Sequence, residues 1–288
     1  MSAALALDPS PAAGLDTMSK RHFAQIAAYI YEVSGIKMPE TKKTMLEGRL
    51  RRRLRAVGID TLDGYCDFLF TGDHLAAEGL HLINAVTTNK TDFFREPAHF
   101  DYLVAHALPA LEARGVRTLR AWSAACSTGP EPYTMAMVLD DYAERMGGPD
   151  YGILATDLDT EVLAAARNGI YAAELVDPVP ASLRRKYVMT SNDPRRREVR
   201  MVPRLRSAIG FGRLNLMDDR YPVGDAMHLI FCRNVLIYFD KPTQKKVVSQ
   251  LYDCLAPGGY LFLGHSESIT GLGLPLDQVA NTVFRRGG

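Results

Sequence analysis

From residue 117 onward the chain alternates apolar strand candidates with amphipathic helical segments, and this alternation constrains the fold more than any other feature. The strand candidates are RTLRAWS, YGILATD, AIGFGRLN, AMHLIFC and GYLFLGH. Helical periodicity falls at 131–145, 160–167 and 241–255. Strands that alternate with helices form mostly parallel sheets with helices on both faces. The pattern therefore predicts a doubly wound α/β domain over residues 117–288.

The residues before this domain have helical periodicity instead. Apolar side chains recur at Phe23, Ile26 and Ile30, and again at Leu46, Leu50 and Leu54. Such spacing places them on one face of a helix. We expect a disordered tail at 1–16, an all-helical domain at 17–88 and a linker helix within 89–116.

One stretch of the α/β part, about 171–213, is too long for a simple connection between a strand and a helix. It contains REVRMVP and RSAIGFG, which have strand character. We interpret this stretch as an inserted antiparallel β-subdomain.

The composition excludes several classes of protein. The 288 residues carry a net charge of only +1, so no global field favours nucleic acid or a membrane surface. No apolar run approaches the roughly 20 residues that a membrane span needs. The four cysteines form no CxxC pair or Cys/His cluster, so we expect no metal site. Free thiols suggest a reducing compartment, and we expect a cytoplasmic protein.

The turn after the first strand, WSAACSTGPEPYT, indicates the ligand. Its small residues let a ligand approach the backbone, but it lacks the three spaced glycines of a dinucleotide-binding turn. Glu131 would also repel a phosphate at this position. A phosphate-free, positively charged ligand fits better, and S-adenosylmethionine meets both conditions.

An acid at the end of the second strand supports this ligand. Asp157 can accept hydrogen bonds from ribose hydroxyls, although NAD enzymes use an acid in the same place. Two other interpretations stay open. Asp157 or Asp159 could only cap the next helix, and Glu131 could be an acid favoured by the helix dipole.

Five motifs, in order along nearly the whole chain, carry a specific resemblance. They are TTNKTDFFREPAHF, WSAACSTGPEPYT, ATDLDTEVLAAARNGIY, FCRNVLIYFD and LFLGHSES. Together they resemble the CheR family of chemotaxis-receptor glutamate O-methyltransferases. The resemblance implies a Rossmann-like S-adenosylmethionine-dependent methyltransferase domain of α/β class, an N-terminal all-helical domain and a small inserted antiparallel β-subdomain. It also implies an enzyme that forms glutamate methyl esters on chemoreceptors during chemotaxis adaptation and releases S-adenosylhomocysteine.

The resemblance also assigns roles to individual residues. Arg95 and Tyr238 would be catalytic, with Arg95 orienting the acceptor carboxylate. Cofactor contacts would come from Asn89, Thr91, Arg95, Glu131, Asp157, Asn215, Leu216, Asn234 and Val235. Pro130 stands where the family often has an acid, so Glu131 would act alone.

Other interpretations of these and neighbouring residues stay open. Arg95 could pair with the adjacent Glu96 at the surface, and Tyr238 could merely cap a strand. We interpret His265 as a loop residue with a local hydrogen bond, not as a base. Cys126 lacks an evident base and is interpreted as a small packing residue.

The proposed chemistry needs no general base. A glutamate side chain has a pKa of about 4.3 and is already ionised at neutral pH. Orientation of the two reacting groups then supplies much of the catalysis.

A basic helix face and the insertion bear on the partner. Arg51, Arg52 and Arg55 lie away from the apolar stripe of their helix, which suits an acidic partner or, equally, a solvated face. By resemblance the partner is the cytoplasmic helical bundle of a chemoreceptor. Some family members bind a receptor peptide through a glycine-bearing loop of the insertion, but MTSNDPRRREVRMV has no glycine. We therefore expect an enzyme without a C-terminal peptide tether. Separately, we expect a monomer with no nucleic-acid partner and no membrane insertion.

Two rival functions remain at this stage. The arginine-rich helix could follow phosphates in an RNA methyltransferase, although CRNVLIYF does not have the NPPY-type signature of many amino-group methylators. A non-catalytic module that senses the cofactor is the other rival.

Overall fold

The computed structural model describes residues 16–193, 195–269 and 271–288, so the predicted tail at 1–16 lies outside them except for Asp16. The chain divides into two compact units. The first comprises Met38–Val86 and the described residues up to Glu32. The second comprises Val33–Lys37 and Thr87–Gly288.

The first unit is helical, as the periodicity predicts. Its helices are α1 (Lys20–Ser34), α2 (Lys43–Val57), α3 (Leu62–Thr71) and α4 (His74–Val86), with a 3₁₀ turn at Glu40–Lys42. Leu46, Leu50 and Leu54 form the buried stripe of α2. The helix ends at Gly58, whose φ of 72° is left-handed and whose N–H bonds the carbonyl of Leu54.

The second unit contains ten strands and seven α-helices among the described residues. The strands are β1 (Thr118–Ala124), β2 (Asp150–Asp157), β3 (Ile170–Ala172), β4 (Val188–Thr190), β5 (Glu198–Met201), β6 (Ile209–Arg213), β7 (Met227–Cys232), β8 (Leu255–Leu263), β9 (Leu276–Ala280) and β10 (Val283–Arg286). The helices are α5 (Ala98–Tyr102), α6 (Leu108–Ala113), α7 (Pro130–Met146), α8 (Thr160–Asn168), α9 (Ala181–Tyr187), α10 (Pro203–Ser207) and α11 (Lys241–Cys254).

Seven of these strands form one sheet in the order β6-β2-β1-β7-β8-β10-β9. In this sheet β6, β2, β1, β7 and β8 are parallel to one another. β10 and β9 complete the sheet in antiparallel pairing. The α/β Rossmann-like class is thus confirmed. The β9–β10 hairpin, which extends the sheet at one edge, was not predicted.

Alternate residues of the central strands enter different hydrophobic cores. Ala121 and Phe231 belong to one core, whereas Trp122 and Ile230 belong to the other. Side chains alternate between the faces of a sheet, so both faces are covered. The helical segment 98–113, which continues from α5 to α6 through a π-helical turn at Leu103–Ala107, packs into the first of these cores.

The insertion forms a separate three-stranded antiparallel sheet in the order β3-β5-β4. It ends earlier than the expected boundary at 213, because Ile209–Arg213 pairs in parallel with β2 at the edge of the large sheet. Gly210 and Gly212 leave this strand with few side chains, so its partner could not be deduced from its pattern.

Candidate functional site

An open pocket, whose empty volume together with the solvent at its mouth is about 980 Å³, lies in the second unit at the carboxyl ends of β1, β2 and β7. The chain runs from β1 to β2 on one side, and β7 returns to the other side of β1, so the strand order reverses here. Ligands of open α/β sheets bind at such a switch point. All ten predicted cofactor and catalytic residues line the pocket: Asn89, Thr91, Arg95, Glu131, Asp157, Asn215, Leu216, Asn234, Val235 and Tyr238.

The turn between β1 and α7 forms one wall. Ala125 and Ser127 adopt left-handed φ values of 62° and 52°, and Gly129 has a φ of 100°. A Cβ on Gly129 would lie 2.7 Å from the Tyr171 hydroxyl, so close packing as well as φ requires glycine there. Burial raises the pKa of the Cys126 thiol well above its usual value, which makes a nucleophilic thiolate unfavourable.

Asp157 ends β2 and lines the pocket. The backbone N–H of Ser127 donates to its Oδ2 at 2.8 Å, and that of Asp159 donates to Oδ1 at 2.9 Å. Each carboxylate oxygen has two lone pairs, so both can accept one more hydrogen bond from a ligand. Burial raises the pKa of Asp157 to about 6, although the two N–H groups oppose this shift.

Asp159 is the residue that caps α8. Its Oδ1 accepts from the N–H groups of Glu161 and Val162. Its Oδ2 accepts from the amide of Asn89 at 2.8 Å and from the hydroxyl of Thr87 at 3.0 Å. The two acids of TDLD therefore have different positions: Asp159 fastens the segment around Asn89 to α8, and Asp157 faces the pocket.

Glu131 lies in the first turn of α7. It accepts a hydrogen bond from Ser123 at 2.7 Å, and its Oε2 lies 3.4 Å from Nη1 of Arg233. Burial raises the pKa of Glu131 more than the arginine lowers it. A cationic group of a ligand at this position would favour the ionised form of Glu131.

Sequence reasoning missed Arg233 and Glu96. The buried guanidinium of Arg233 lies 3.1 Å from Glu96 and also reaches Glu131 and the backbone carbonyl of Arg95. Burial disfavours ionisation of Glu96, but Arg233, the Asn234 amide and the His265 N–H together hold its pKa below the usual value. The available signal was an arginine directly after the apolar strand AMHLIFC, at the edge where ligands bind.

Arg95 keeps its guanidinium at the pocket. Its Nη1 donates to the carbonyl of Lys90 at 3.2 Å, and the neighbouring Glu96 pairs with Arg233 instead. The alternative of an Arg95–Glu96 surface pair is therefore not observed. Tyr238 lies in a 3₁₀ turn at Leu236–Tyr238, and its backbone carbonyl accepts from the N–H of Lys37.

Asn215 shapes the opposite wall next to Leu216. Its amide donates to the carbonyl of Val33 at 2.6 Å, and its Oδ1 accepts from the N–H of Met217 at 3.0 Å. Its side chain thus holds the turn after β6 while lining the pocket. The segment Val33–Lys37 completes this wall, with Ser34 and Ile36 in the lining.

Backbone strain is concentrated around the pocket. The described non-glycine residues with positive φ are Phe94, Glu96, Ala125, Ser127, Asn234 and Thr282. All except Thr282 lie in the segments that form the pocket. Left-handed conformations of such residues cost energy and persist where surrounding contacts impose them, typically at functional sites.

A cluster beside the pocket has the residue types of a metal site. Ligand atoms of Glu96, His99 and His265 lie within 4.8 Å of one another. However, Arg233 already neutralises Glu96, and burial together with Arg233 lowers the pKa of His99 to about 4. The positive charge of Arg233 beside the cluster also disfavours a bound cation.

The predicted arginines of α2 belong to the first unit. Arg52 and Arg55 are exposed, whereas Arg51 is half-buried and donates to the carbonyl of Asp16 at 2.6 Å. Arg53 forms a two-bond pair with Glu78, with both distances at 2.8 Å. The exposed basic face of α2 therefore contains two of the three arginines that the sequence predicted there.

The fold and the pocket define an α/β methyltransferase that uses S-adenosylmethionine, and the comparisons with known proteins agree. Residues 89–284 match the family described as "CheR methyltransferase, SAM binding domain", and residues 21–87 match "CheR methyltransferase, all-alpha domain". The chain belongs to the CheR methyltransferase family.

Curated relatives resemble the chain over most of its length. The chemotaxis protein methyltransferases of Salmonella typhimurium and Escherichia coli are each 41% identical over 93% of this chain, which corresponds to 90% and 91% of those proteins. Chemotaxis protein methyltransferase 2 of Pseudomonas aeruginosa is 36% identical over 96% of this chain and 97% of its own length. No helix within the described residues is long and apolar enough to cross a membrane.

Proposed function

We propose that this chain transfers the methyl group of S-adenosylmethionine to glutamate side chains of chemoreceptors, forming methyl esters during chemotaxis adaptation. The observation that carries the proposal is the pocket itself, in which Glu131, Asp157, Arg95 and Tyr238 converge. The names of the relatives support chemotaxis as the setting, and the family match disfavours an RNA methyltransferase.

The donor set of the pocket fits the cofactor. Glu131 suits the ammonium of the methionine part, and Asp157 suits the two ribose hydroxyls with its remaining lone pairs. Asn215 and Leu216 would flank the adenine, while Asn89 and Thr91 would contact the methionine side. When bound, S-adenosylmethionine supplies a methyl group activated by a sulfonium.

Arg95, Tyr238 and the pocket walls would act on the acceptor glutamate. The acceptor glutamate is ionised at neutral pH and needs no proton removed. Arg95 would hold its carboxylate with directed hydrogen bonds, and the Tyr238 hydroxyl would position the carboxylate or the methyl group. Phe94, Phe100 and Phe239 in the lining would help exclude water from the reacting groups.

The deciding experiment is methyl transfer from radiolabelled S-adenosylmethionine to membranes that contain chemoreceptors. We expect label on receptor glutamates that mild base releases, because esters hydrolyse under those conditions. Label on RNA, or cofactor binding without any transfer, would instead favour one of the two rivals.

The finer proposals concern the partner and the setting. Arg52 and Arg55 would contact the acidic receptor bundle, with a smaller part for Arg51. The four cysteines, Cys66, Cys126, Cys232 and Cys254, are free thiols, which supports a reducing cytoplasm. We further propose that the enzyme acts as a monomer and without nucleic acid.

We propose that the small sheet does not bind a receptor peptide tightly, since the residues between β4 and β5 include no glycine. Calorimetry with a peptide copied from a receptor C-terminus should show a dissociation constant weaker than about 1 mM. Micromolar binding would show that the tether exists.

A further inference from the structure

We propose that Glu267 is a positioning residue that fixes the loop after β7 and thereby sets the affinity for S-adenosylmethionine. The residue lies in GHSES, after β8, and does not line the pocket. The proposal rests on the cofactor and not on the identity of the methyl acceptor.

The carboxylate of Glu267 joins two loops through backbone N–H groups. Its Oε2 accepts from Gly264 at 2.6 Å and from Asn234 at 3.0 Å, and its Oε1 accepts from Leu236 at 2.7 Å. The side chain is buried, with 5% of the residue exposed. Both oxygens are therefore committed as acceptors in a largely buried position.

The loop held by Glu267 forms the floor of the pocket. Asn234 has a left-handed φ of 60°, and its N–H donates to Glu267. Its side chain donates to Glu96 at 3.2 Å, while the following Val235 and Tyr238 line the pocket. Glu267 thus supports a strained backbone whose shape determines where three pocket side chains stand.

Gly264 permits this close approach of the two loops. A Cβ at this position would lie 2.5 Å from Nδ2 and 2.8 Å from N of Asn234, and 2.9 Å from Oε2 of Glu267. The glycine and the glutamate of GHSES therefore act on the same neighbour, Asn234.

Only a carboxylate satisfies this arrangement. A glutamine offers one acceptor oxygen, and its NH₂ group would point at an N–H donor. An alanine would leave at least the N–H groups of Gly264, Asn234 and Leu236 without this acceptor, two of them in buried positions. Both substitutions should let the loop relax away from its left-handed conformation.

The test compares Glu267→Gln and Glu267→Ala with Ser266→Ala, which alters the exposed neighbour on the same loop. We expect both Glu267 variants to bind S-adenosylhomocysteine about 10-fold or more weakly by calorimetry, at a temperature where circular dichroism shows them folded. In turnover assays KM for S-adenosylmethionine should rise more than kcat falls. Ser266→Ala should match the wild type.

Chemical rescue separates positioning from general damage. Formate carries two carboxylate oxygens and should restore S-adenosylhomocysteine binding to Glu267→Ala, whereas chloride at equal ionic strength should not. If Glu267→Ala does not fold, Glu267→Gln decides the question by its affinity. Wild-type affinity in the folded variants, or loss that formate leaves unchanged, would overturn the proposal. A wild-type enzyme that binds the cofactor but leaves receptors unmethylated would overturn the proposed function and not this one.

Discussion

At the scale of single residues, the two acids of the pocket are harder to ionise than they would be in water. Burial raises the pKa of both Glu131 and Asp157. Arg233 and the Ser123 hydroxyl partly offset this effect for Glu131, and two backbone N–H groups do so for Asp157. Bound ligand groups that favour the ionised forms would offset the remaining increase in the pKa of the two acids.

Cofactor affinity should therefore depend on pH. The ionised Asp157 accepts with both oxygens, whereas the protonated acid loses one acceptor, so affinity is high above its pKa of about 6 and falls as the pH falls through it. Between about pH 7 and about pH 5, S-adenosylhomocysteine binding should weaken roughly 10-fold in calorimetry. Asp157→Asn should bind more weakly with a flatter profile. A wild-type affinity unchanged over this range would contradict the assignment.

Arg95 should affect catalysis much more than cofactor binding. Loss of the directed contacts in Arg95→Ala should lower kcat about 100-fold, because a misplaced acceptor reacts slowly. S-adenosylhomocysteine affinity should fall by less than about 5-fold, and Arg95→Lys, which keeps the charge but not the fork, should be intermediate. Equal losses in calorimetry and in the methyl-transfer assay would show that Arg95 serves mainly the cofactor.

The acids of this pocket could be predicted because each follows a strand or begins a helix, where local sequence fixes its place. Glu96 and Glu267 could not, since each acts through partners far away in the sequence, and Arg233 was missed although it directly follows the apolar run of β7. Glu96 meets Arg233 across 137 residues, and Glu267 meets Asn234 across 33. Such pairings become visible only when the sheet brings the loops together.

At the scale of elements, neighbouring residues determine which arginines of helix α2 are exposed. The wheel predicted three arginines on one free face. The structure ties Arg51 to Asp16 and leaves Arg52 and Arg55 exposed.

Receptor recognition should therefore depend on Arg52 and Arg55 more than on Arg51. The double variant Arg52→Ala/Arg55→Ala should raise KM for receptor membranes about 10-fold at low salt and less at high salt, because exposed charges act mainly through screened attraction. Its S-adenosylhomocysteine affinity should stay at the wild-type value. Arg21→Ala, which removes an exposed arginine of α1, is the matched control. The solvated-face interpretation would hold if both variants had the same KM.

The strands of the large sheet show where sequence patterns succeed and fail. The apolar runs of β1, β2, β7 and β8 were predicted because central parallel strands are buried on both faces. β9 was missed because its residues are exposed or only partly buried and it contains Asp277 and Gln278. β6 was recognised as a strand but was also counted with the insertion, because a short edge strand does not specify its partner.

At the scale of the whole molecule, the boundary between the two units crosses the sequence more than once. Residues 33–37 lie between segments of the helical unit but belong to the second unit. They supply the carbonyl of Val33 to Asn215 and the N–H of Lys37 to Tyr238. The sequence predicted a single junction near residue 88. No signal in the sequence could have shown that residues 33–37 belong to the second unit.

Substitution of Gly35 tests whether residues 33–37 support the pocket. Its φ is 70°, and an added Cβ would lie 2.5 Å from Sδ of Met217 and 3.3 Å from the Phe239 ring. Gly58→Ala is the control, since Gly58 has a φ of 72° with nothing within 4 Å of an added Cβ. Both should lose about 1 kcal/mol from backbone strain. Gly35→Ala should lose roughly 1–3 kcal/mol more through overpacking and should also bind S-adenosylhomocysteine more weakly.

Thermal melts with and without S-adenosylhomocysteine measure both effects. We expect Tm of Gly35→Ala to lie several degrees below that of Gly58→Ala, with a smaller ligand-induced rise. Equal melts and equal ligand shifts for the two variants would mean that residues 33–37 do not support the pocket.

The interleaved boundary has a practical consequence for chimeras with relatives of this chain. A graft that exchanges everything before residue 88 would import a foreign piece of pocket wall together with the new helices. Splice points at 32/33, 37/38 and 86/87 would let the recipient keep its own wall. Receptor preference could then be transplanted without disturbing the methyl-donor compartment.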